Sequence, residues 1–147
     1  MQTQFKTFTV MISNINRNIR RLKTDIMAKF DLKCPHLSSL YYLYTDGPLT
    51  AKELGALCQE DKGALSRSID YLEKEGFINN LDKKKKYKNP MALTDKGKVV
   101  GEYIVKKIDE IFYSASSTFD SEQIKNFFET LKSVDKKLEA FIVSSER

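Results

Sequence analysis

The stretch of residues 49–97 constrains this sequence most, because its turn signals divide it into short elements in a fixed order. Thr50 and Glu53 stand three residues apart before an apolar run, which is the spacing of a helix capping box. Asp61 suits the cap of a second helix, and Gly76 suits the left-handed residue that closes it. The pattern therefore predicts two short helices joined by a tight turn.

A β-hairpin is predicted after the second helix. Short extended runs over 77–81 and 88–93 flank a loop, as in two antiparallel strands. Pro90 cannot donate a ladder hydrogen bond, which predicts that its strand lies at a sheet edge. Residues 94–97 then begin another long helix. Two helices, a tight turn and a terminal hairpin are the outline of a winged helix-turn-helix.

The net positive charge of the chain is concentrated in this hairpin and the start of the helix after it. From Gly76 to Lys98 there are seven lysines and two aspartates, a net +5 that equals the formal charge of the whole chain. Such a cluster favours a phosphate backbone as partner. The alternative is a loop tip that only improves solubility, but the position after a candidate groove-binding helix favours double-stranded DNA.

The helix before the hairpin has two distinct faces. Leu65, Ile69 and Leu72 recur at helical spacing and predict its buried face. Helices of this type enter the major groove by their N-terminal half, so Arg67 is the candidate base reader and Gly63 would let the helix approach the DNA backbone closely. An ordinary solvated helix face is the alternative. The candidate DNA-binding residues are Lys62, Gly63, Ser66, Arg67, Lys74, Lys83, Lys84, Lys85, Lys86 and Lys88.

Long amphipathic segments flank this module. An apolar residue recurs every three or four positions from Phe5 to Ile26, which predicts one helix over about 4–30. A polar break at 114–121 precedes a last helix, which Asp120 or Ser121 can cap.

The apolar stripe of the first helix needs a long partner. We predict that it packs against the C-terminal helices, partly from a second subunit, with a core helix inside a monomer as the alternative. The candidate dimer-interface residues are Phe5, Phe8, Ile12, Ile15, Phe127, Phe128, Leu131, Leu138 and Phe141.

The predicted fold class is mostly α with a small β-hairpin wing, in one domain over 1–147. Within it, 35–98 forms the winged helix-turn-helix, 95–113 a connecting helix, and 1–34 and 114–147 the N- and C-terminal dimerisation helices.

Composition narrows the class of protein further. Hydrophobic residues make up 41% of the chain and charged residues 31%, as in an ordinary folded domain rather than a disordered tail. No apolar run reaches the ~20 residues of a membrane span. The start lacks the order of a secretory signal, and two cysteines suit a reducing cytoplasm. The expected location is therefore cytoplasmic.

Catalysis and metal binding are not indicated. The chain has a single histidine, His36, which is expected at the surface or boundary of a helix start. A zinc site would gather several His, Cys or carboxylate ligands, and no nucleophile–histidine–acid set or Gly-rich phosphate loop is present. We predict no enzyme activity, no metal and no cofactor.

Two motifs resemble a known family. Residues 65–78 read Leu-Ser-Arg-Ser-Ile-Asp-Tyr-Leu-Glu-Lys-Glu-Gly-Phe-Ile, and residues 93–97 read Leu-Thr-Asp-Lys-Gly. MarR-type regulators show a recognition helix ending in Leu-Glu-x-x-Gly and a next helix opening with Leu-Thr-x-x-Gly. The chain matches them in length and helix order as well, so it resembles a MarR-family winged helix-turn-helix transcriptional regulator.

The wing departs from the pattern of that family. The family commonly carries an Asp-Arg-Arg stretch where this chain has Lys85, Lys86 and Tyr87. The minor-groove arginine therefore has no direct equivalent, and its role passes to Lys86.

The resemblance implies a homodimer that binds a pseudo-palindromic operator and usually represses transcription. It also implies a small phenolic or lipophilic ligand, held between the dimerising helices and the winged module. The aromatic residues that could line such a pocket are Tyr41, Tyr42, Tyr44, Tyr103 and Phe112, although aromatics at helical spacing are commonly core.

Two alternatives stay open. Cys34 lies near a helix start, where a thiol can become reactive, so a thiol-based oxidant-sensing regulator is one of them. Packing or an exposed idle thiol is the simpler interpretation of Cys34. The other alternative is a helical protein-interaction or assembly factor with non-specific DNA affinity.

Overall fold

The computed structural model describes residues 1–81 and 88–146. Along this part of the chain the elements are α1 (Gln2–Ala28), α2 (Cys34–Thr45), α3 (Ala51–Cys58), α4 (Lys62–Lys74), β1 (Ile78–Asn80), β2 (Met91–Leu93), α5 (Asp95–Ser116) and α6 (Ser121–Ser145). The predicted fold class, mostly α with a small hairpin, is confirmed. The chain divides into two compact units, Met1–Lys107 and Ile108–Arg147.

The predicted caps of the central helices are present. The backbone N–H of Glu53 donates to the hydroxyl oxygen of Thr50 over 3.2 Å, and Glu53 Oε2 accepts from the backbone N–H of Thr50 over 2.8 Å. Asp61 Oδ1 accepts from the backbone N–H of Ala64 over 2.9 Å. Gly76 has φ +78°, the left-handed conformation predicted for it. These local bonds fix where α3 and α4 begin and where α4 ends.

The sheet has one connection that the sequence did not predict. Strands β1 and β2 pair antiparallel, with Asn80 opposite Met91. On its other side, Met91 donates its backbone N–H to the Leu49 oxygen over 2.8 Å and accepts from the Leu49 N–H over 3.1 Å. In the two-stranded sheet β2 is an edge strand, as predicted, and its first residue, Met91, adds a single bridge to Leu49. Pro90 precedes the strand, so the ladder does not need the N–H that proline lacks.

The core of the first unit lies beneath α4. Leu65, Ile69 and Leu72 are buried, which confirms the predicted inner face of this helix. They share the core with residues from α1 to α5. The other buried hydrophobic residues are Ile26, Met27, Leu32, Leu37, Leu40, Leu43, Leu54, Phe77, Ile78, Met91, Val100 and Ile104.

The break before the last helix is shorter than predicted. Helix α5 continues to Ser116, whose hydroxyl donates to the Phe112 carbonyl oxygen over 2.7 Å and so has a partner inside the helix. Asp120 is the residue that caps α6, in a reciprocal pair with Gln123. Within residues 1–81 and 88–146, none of the helices joins the length and apolar character that a membrane-spanning helix requires.

Candidate nucleic-acid interface

Helix α4 presents a polar outer face opposite its buried one. Lys62, Gly63, Arg67 and Lys74 are exposed, and Ser66 is half-buried at the edge of that face. The structure thus brings the α4 residues of the predicted DNA-binding set to one side of a helix that the core holds on its other side. Such a face can enter the major groove of DNA while the opposite face of the helix keeps its contacts with the core.

Of the five lysines predicted to act in the wing, the structure describes Lys88. Lys88 is exposed just before β2. Lys83, Lys84, Lys85 and Lys86 lie outside the described residues, so their role as phosphate contacts stays a prediction.

The C-terminal end of α4 is fastened to the start of α5. The Thr94 hydroxyl donates to the Gly76 carbonyl oxygen over 2.6 Å and accepts from the Gly97 N–H over 3.1 Å. A Cβ on Gly97 would overlap the carbonyl oxygen of Phe77, so only glycine allows this approach. The Leu-Thr-x-x-Gly motif therefore has a structural role, because it fixes the C-terminal end of α4, the helix that carries the candidate DNA contacts.

Lys96 belongs to this fastening. Its Nζ donates to the carbonyl oxygen of Glu75 over 2.8 Å and lies 4.1 Å from the centroid of the Phe77 ring. A cation at the last carbonyls of a helix stabilises the helix end. Sequence reasoning counted Lys96 in the basic cluster and missed this contact, because its partners lie about twenty residues earlier in the chain.

Comparison with known proteins assigns a family to this architecture. The MarR family model matches residues 32–85. An HTH-type transcriptional regulator of Bacillus cereus is 31% identical over 121 residues, which is 79% of this chain and 78% of the relative. The chain belongs to the MarR family. The resemblance seen in the sequence is thus confirmed, and the family is one of transcriptional regulators rather than of enzymes.

Solved structures share the fold of this MarR-family chain. A MarR family regulator from Neisseria meningitidis superposes with a TM-score of 0.82 at 21% identity, covering 97% of this chain and 98% of that one. The S. aureus MepR–DNA complex gives 0.77 at 19% identity, over 89% of this chain and 96% of the other. A putative MarR family regulator from Listeria monocytogenes in complex with a 26mer DNA gives 0.77 at 21% identity, over 88% and 87%.

His36 has a structural role in this MarR-family chain that the sequence did not show. It lies at the start of α2, as predicted, but is buried rather than exposed. Its Nδ1 accepts from the backbone N–H of Lys33 over 3.1 Å, and its ring stacks on that of Tyr71 in α4, with centroids 4.8 Å apart. Burial, and then the charge of Lys33, lower the pKa of His36. The imidazole is therefore held neutral where α2 packs against α4.

The predicted ligand-pocket aromatics of the first unit fall into separate contacts. Tyr41 and Tyr42 are half-buried neighbours with ring centroids 5.2 Å apart. Tyr103 meets the edge of Phe30, also at 5.2 Å. Tyr44 packs against Gly101, where a Cβ would lie 2.7 Å from its ring. The structure does not bring these four residues together as one lining, and their assignment to a pocket stays a prediction.

Phe112, the fifth candidate, belongs to the second unit. Its ring stacks on that of Phe128, with centroids 6.2 Å apart. Both rings line an apolar hollow of about 460 Å³ with Phe119, Ile124 and Phe127.

The two cysteines differ in their surroundings. Cys34 is half-buried as the first residue of α2, and oxidant sensing by it stays a prediction. Burial, followed by the charge of Glu60, raises the pKa of the Cys58 thiol to about 11. Cys58 is therefore protonated and unreactive at neutral pH. Among the residues that the structure describes, no three His, Cys, Asp or Glu are grouped to hold a metal ion.

Proposed function

We propose that this protein is a homodimeric transcriptional repressor that inserts α4 into the major groove of a pseudo-palindromic operator. The main support for this proposal is the outer face of α4, where Lys62, Gly63 and Arg67 are exposed. Leu65 and Ile69 anchor the opposite face of the helix in the core. The N-terminal half of a recognition helix supplies the base contacts, and Arg67 is the residue there that can bond a guanine through two donors.

The charge of the hairpin supports the same partner. The run of lysines from Lys83 to Lys86, with Lys88, adds point charges that suit phosphates but do not distinguish bases. The fold similarity to two protein–DNA complexes also supports DNA as the partner. We therefore assign affinity to the hairpin and sequence choice to α4.

The apolar faces of the terminal helices support the homodimer. Eight of the nine predicted interface residues expose 38–73% of their surface, and Leu131 is half-buried; the eight are Phe5, Phe8, Ile12, Ile15, Phe127, Phe128, Leu138 and Phe141. Large apolar surfaces of this kind mark interfaces between proteins. A two-fold dimer would cover them and present two copies of α4 to successive turns of DNA, about 34–36 Å apart.

A small phenolic or lipophilic ligand is the proposed effector, and its binding releases the operator. A hollow of about 330 Å³ in the first unit supports this, because three aromatic and three aliphatic residues line it beside the end of α4, together with the charged Asp31, Glu75 and Lys96. Phe30 lines it and also contacts Tyr103, one of the predicted pocket residues. A ligand wedged beside Tyr71 and Phe77 would press on the helix that reads the operator.

The test measures binding to DNA from upstream of the protein's own gene and to a random duplex of equal length, by fluorescence anisotropy over a range of salt. We expect Arg67→Ala to weaken operator binding by about five- to a hundredfold and random binding far less, because one bidentate base contact contributes ~1–3 kcal/mol. The matched control is the double variant Lys84→Ala/Lys86→Ala. It should weaken both duplexes and flatten the salt slope by about two units. An Arg67→Ala protein that keeps its full operator preference would contradict the assignment of this residue.

A further inference from the structure

The hollow beside the end of α4 combines aromatic rings with an excess of negative charge. Among the described residues that line it, Asp31 and Glu75 carry carboxylates and Lys96 carries an ammonium group, which leaves a formal charge of −1. Its three aromatic residues are Phe30, Tyr71 and Phe77. Carboxylates and the faces of aromatic rings both attract cations. Such a lining suits a cation with apolar groups better than a neutral or an anionic ligand.

A cation already lies against one ring of this hollow. The Lys96 Nζ is 4.1 Å from the centroid of the Phe77 ring, and it donates to the Glu75 carbonyl oxygen over 2.8 Å. Phe77 is only 5% exposed, and attraction between a cation and a ring is strongest where water is excluded. The chain therefore supplies its own ammonium group to this aromatic wall.

A second ring of the hollow also has a cation nearby. The Lys29 Nζ lies 5.9 Å from the centroid of Phe30 and 4.2 Å from that of Tyr103, whose ring meets the edge of Phe30. This lysine follows α1, whereas Lys96 belongs to α5. The two contacts are thus independent, and both place positive charge against the rings that surround the hollow.

We propose that this hollow binds a lipophilic cation, such as an aromatic quaternary ammonium compound, which takes the place of Lys96 against Phe77. The inference rests on the proposed function and narrows its effector from a phenolic or lipophilic ligand to a cationic one. Displacement removes Lys96 from the Glu75 carbonyl oxygen, a contact that stabilises the C-terminal end of α4. The bound cation thereby acts on the helix that carries the candidate DNA contacts.

Two probes of nearly the same shape separate the effect of charge from that of apolar surface. Meta-hydroxyphenyl-trimethylammonium has a permanent positive charge, and meta-tert-butylphenol has a neutral carbon in place of its nitrogen. Isothermal titration calorimetry measures the binding of each probe to the full chain without DNA. We expect the cation to bind about three- to tenfold more tightly. Failure of the cation to bind, or equal or tighter binding of the phenol, would overturn the proposal.

Lys96→Met tests the displacement, because it removes the ammonium group and keeps an unbranched apolar side chain. The cation should bind this variant about three- to tenfold more tightly than the unaltered protein, since its internal competitor is absent. The affinity for meta-tert-butylphenol should not change. An unchanged affinity for the cation would contradict the exchange of places with Lys96.

Asp31→Asn tests the charge at the hollow. Asp31 has φ +56°, a left-handed conformation that asparagine tolerates as well as aspartate does, so the change removes charge without straining the backbone. The affinity for the cation should fall about two- to fivefold, and that for the phenol should stay. Asp25→Asn is the matched control, because it removes an exposed carboxylate of α1 that does not line the hollow. Equal effects of the two variants would exclude Asp31 from the site.

Fluorescence anisotropy with the operator keeps this inference distinct from the proposed function. At saturation, the cation should weaken operator binding by the unaltered protein, and it should do so less in Lys96→Met, where no contact with Glu75 is left to break. A bound cation that leaves operator affinity unchanged overturns the action on α4. If the unaltered protein does not prefer the operator to a random duplex while it still binds the cation more tightly than the phenol, the proposed function is what fails.

Discussion

Helices α1 and α4 are both amphipathic, but they satisfy their apolar faces in different ways. On α4, Leu65 and Leu72 are 5% and 0% exposed, because the same chain covers them. On α1, Phe5 and Ile15 are 71% and 47% exposed. Apolar spacing therefore shows only that a face must be covered. Whether one chain suffices depends on what the fold packs against that face.

Covered and exposed apolar residues also occur together within α1. Ile26 continues the stripe of Phe5 and Ile15, yet it is buried at 7% exposure because the end of the helix joins the core of the first unit. One continuous pattern therefore serves two purposes. Its last turn holds the monomer together, and its earlier turns are left for the partner subunit that we propose.

The largest loss of stability is expected for Leu72→Ala in α4. We expect the free energy of unfolding to fall by about 2–5 kcal/mol, because a fully covered leucine leaves a cavity. Urea denaturation at fixed protein concentration measures this. The matched change in α1, Ile15→Ala, should cost less at concentrations where the protein is monomeric, since Ile15 is already 47% exposed in the single chain. Equal losses under those conditions would contradict the contrast between the two helices.

A charge placed on α1 tests whether its exposed apolar face is covered by a second subunit. Ile15→Asp should convert the proposed dimer to a monomer, because burying an unpaired carboxylate in an apolar interface is costly. Sedimentation velocity at micromolar concentration measures the change. Ser13→Asp introduces the same charge on the opposite side of α1, two residues from Ile15, and should leave the dimer intact. A monomeric unaltered protein would remove homodimerisation from the proposal.

The smallest expected effect is a pH dependence at the contact between α2 and α4, where His36 stacks on Tyr71. Because burial lowers the pKa of His36 in the folded protein, the unfolded chain takes up the proton first as the pH falls. The stability that neutral His36 contributes is complete above its unfolded pKa of about 6.5 and is lost as the pH falls toward the lowered folded pKa. The midpoint of urea unfolding should therefore decrease slightly between pH 7.5 and 5.5. In His36→Gln this decrease should be smaller, and an unchanged slope would exclude His36 as its source.

Local signals predicted most of the elements. The Thr50–Glu53 pair marked the start of α3, Asp61 the start of α4, and Gly76 its left-handed end, as the structure has them. Each signal works over three or four residues, which is the range of a capping bond. The break near Ser116 was set too early, because serine also satisfies its hydroxyl within a helix.

The candidate site was predicted less completely. The outer face of α4 followed from helical periodicity, since Leu65 and Ile69 fix which residues turn outward. The contacts that orient this helix did not, because Lys96 meets Glu75 and His36 meets Tyr71 across distant parts of the chain. No period or spacing in the sequence encodes such a pair.

The sequence by itself determined the order of the helices, their caps, the polar face of α4 and the concentration of charge in the hairpin, because these depend on neighbours in the chain. The tertiary structure decided which apolar faces are covered, that β2 pairs with both β1 and Leu49, and how α4 is fastened at its two sides. Those features depend on groups far apart in sequence, whose meeting is set by the packing of the whole unit rather than by local propensity.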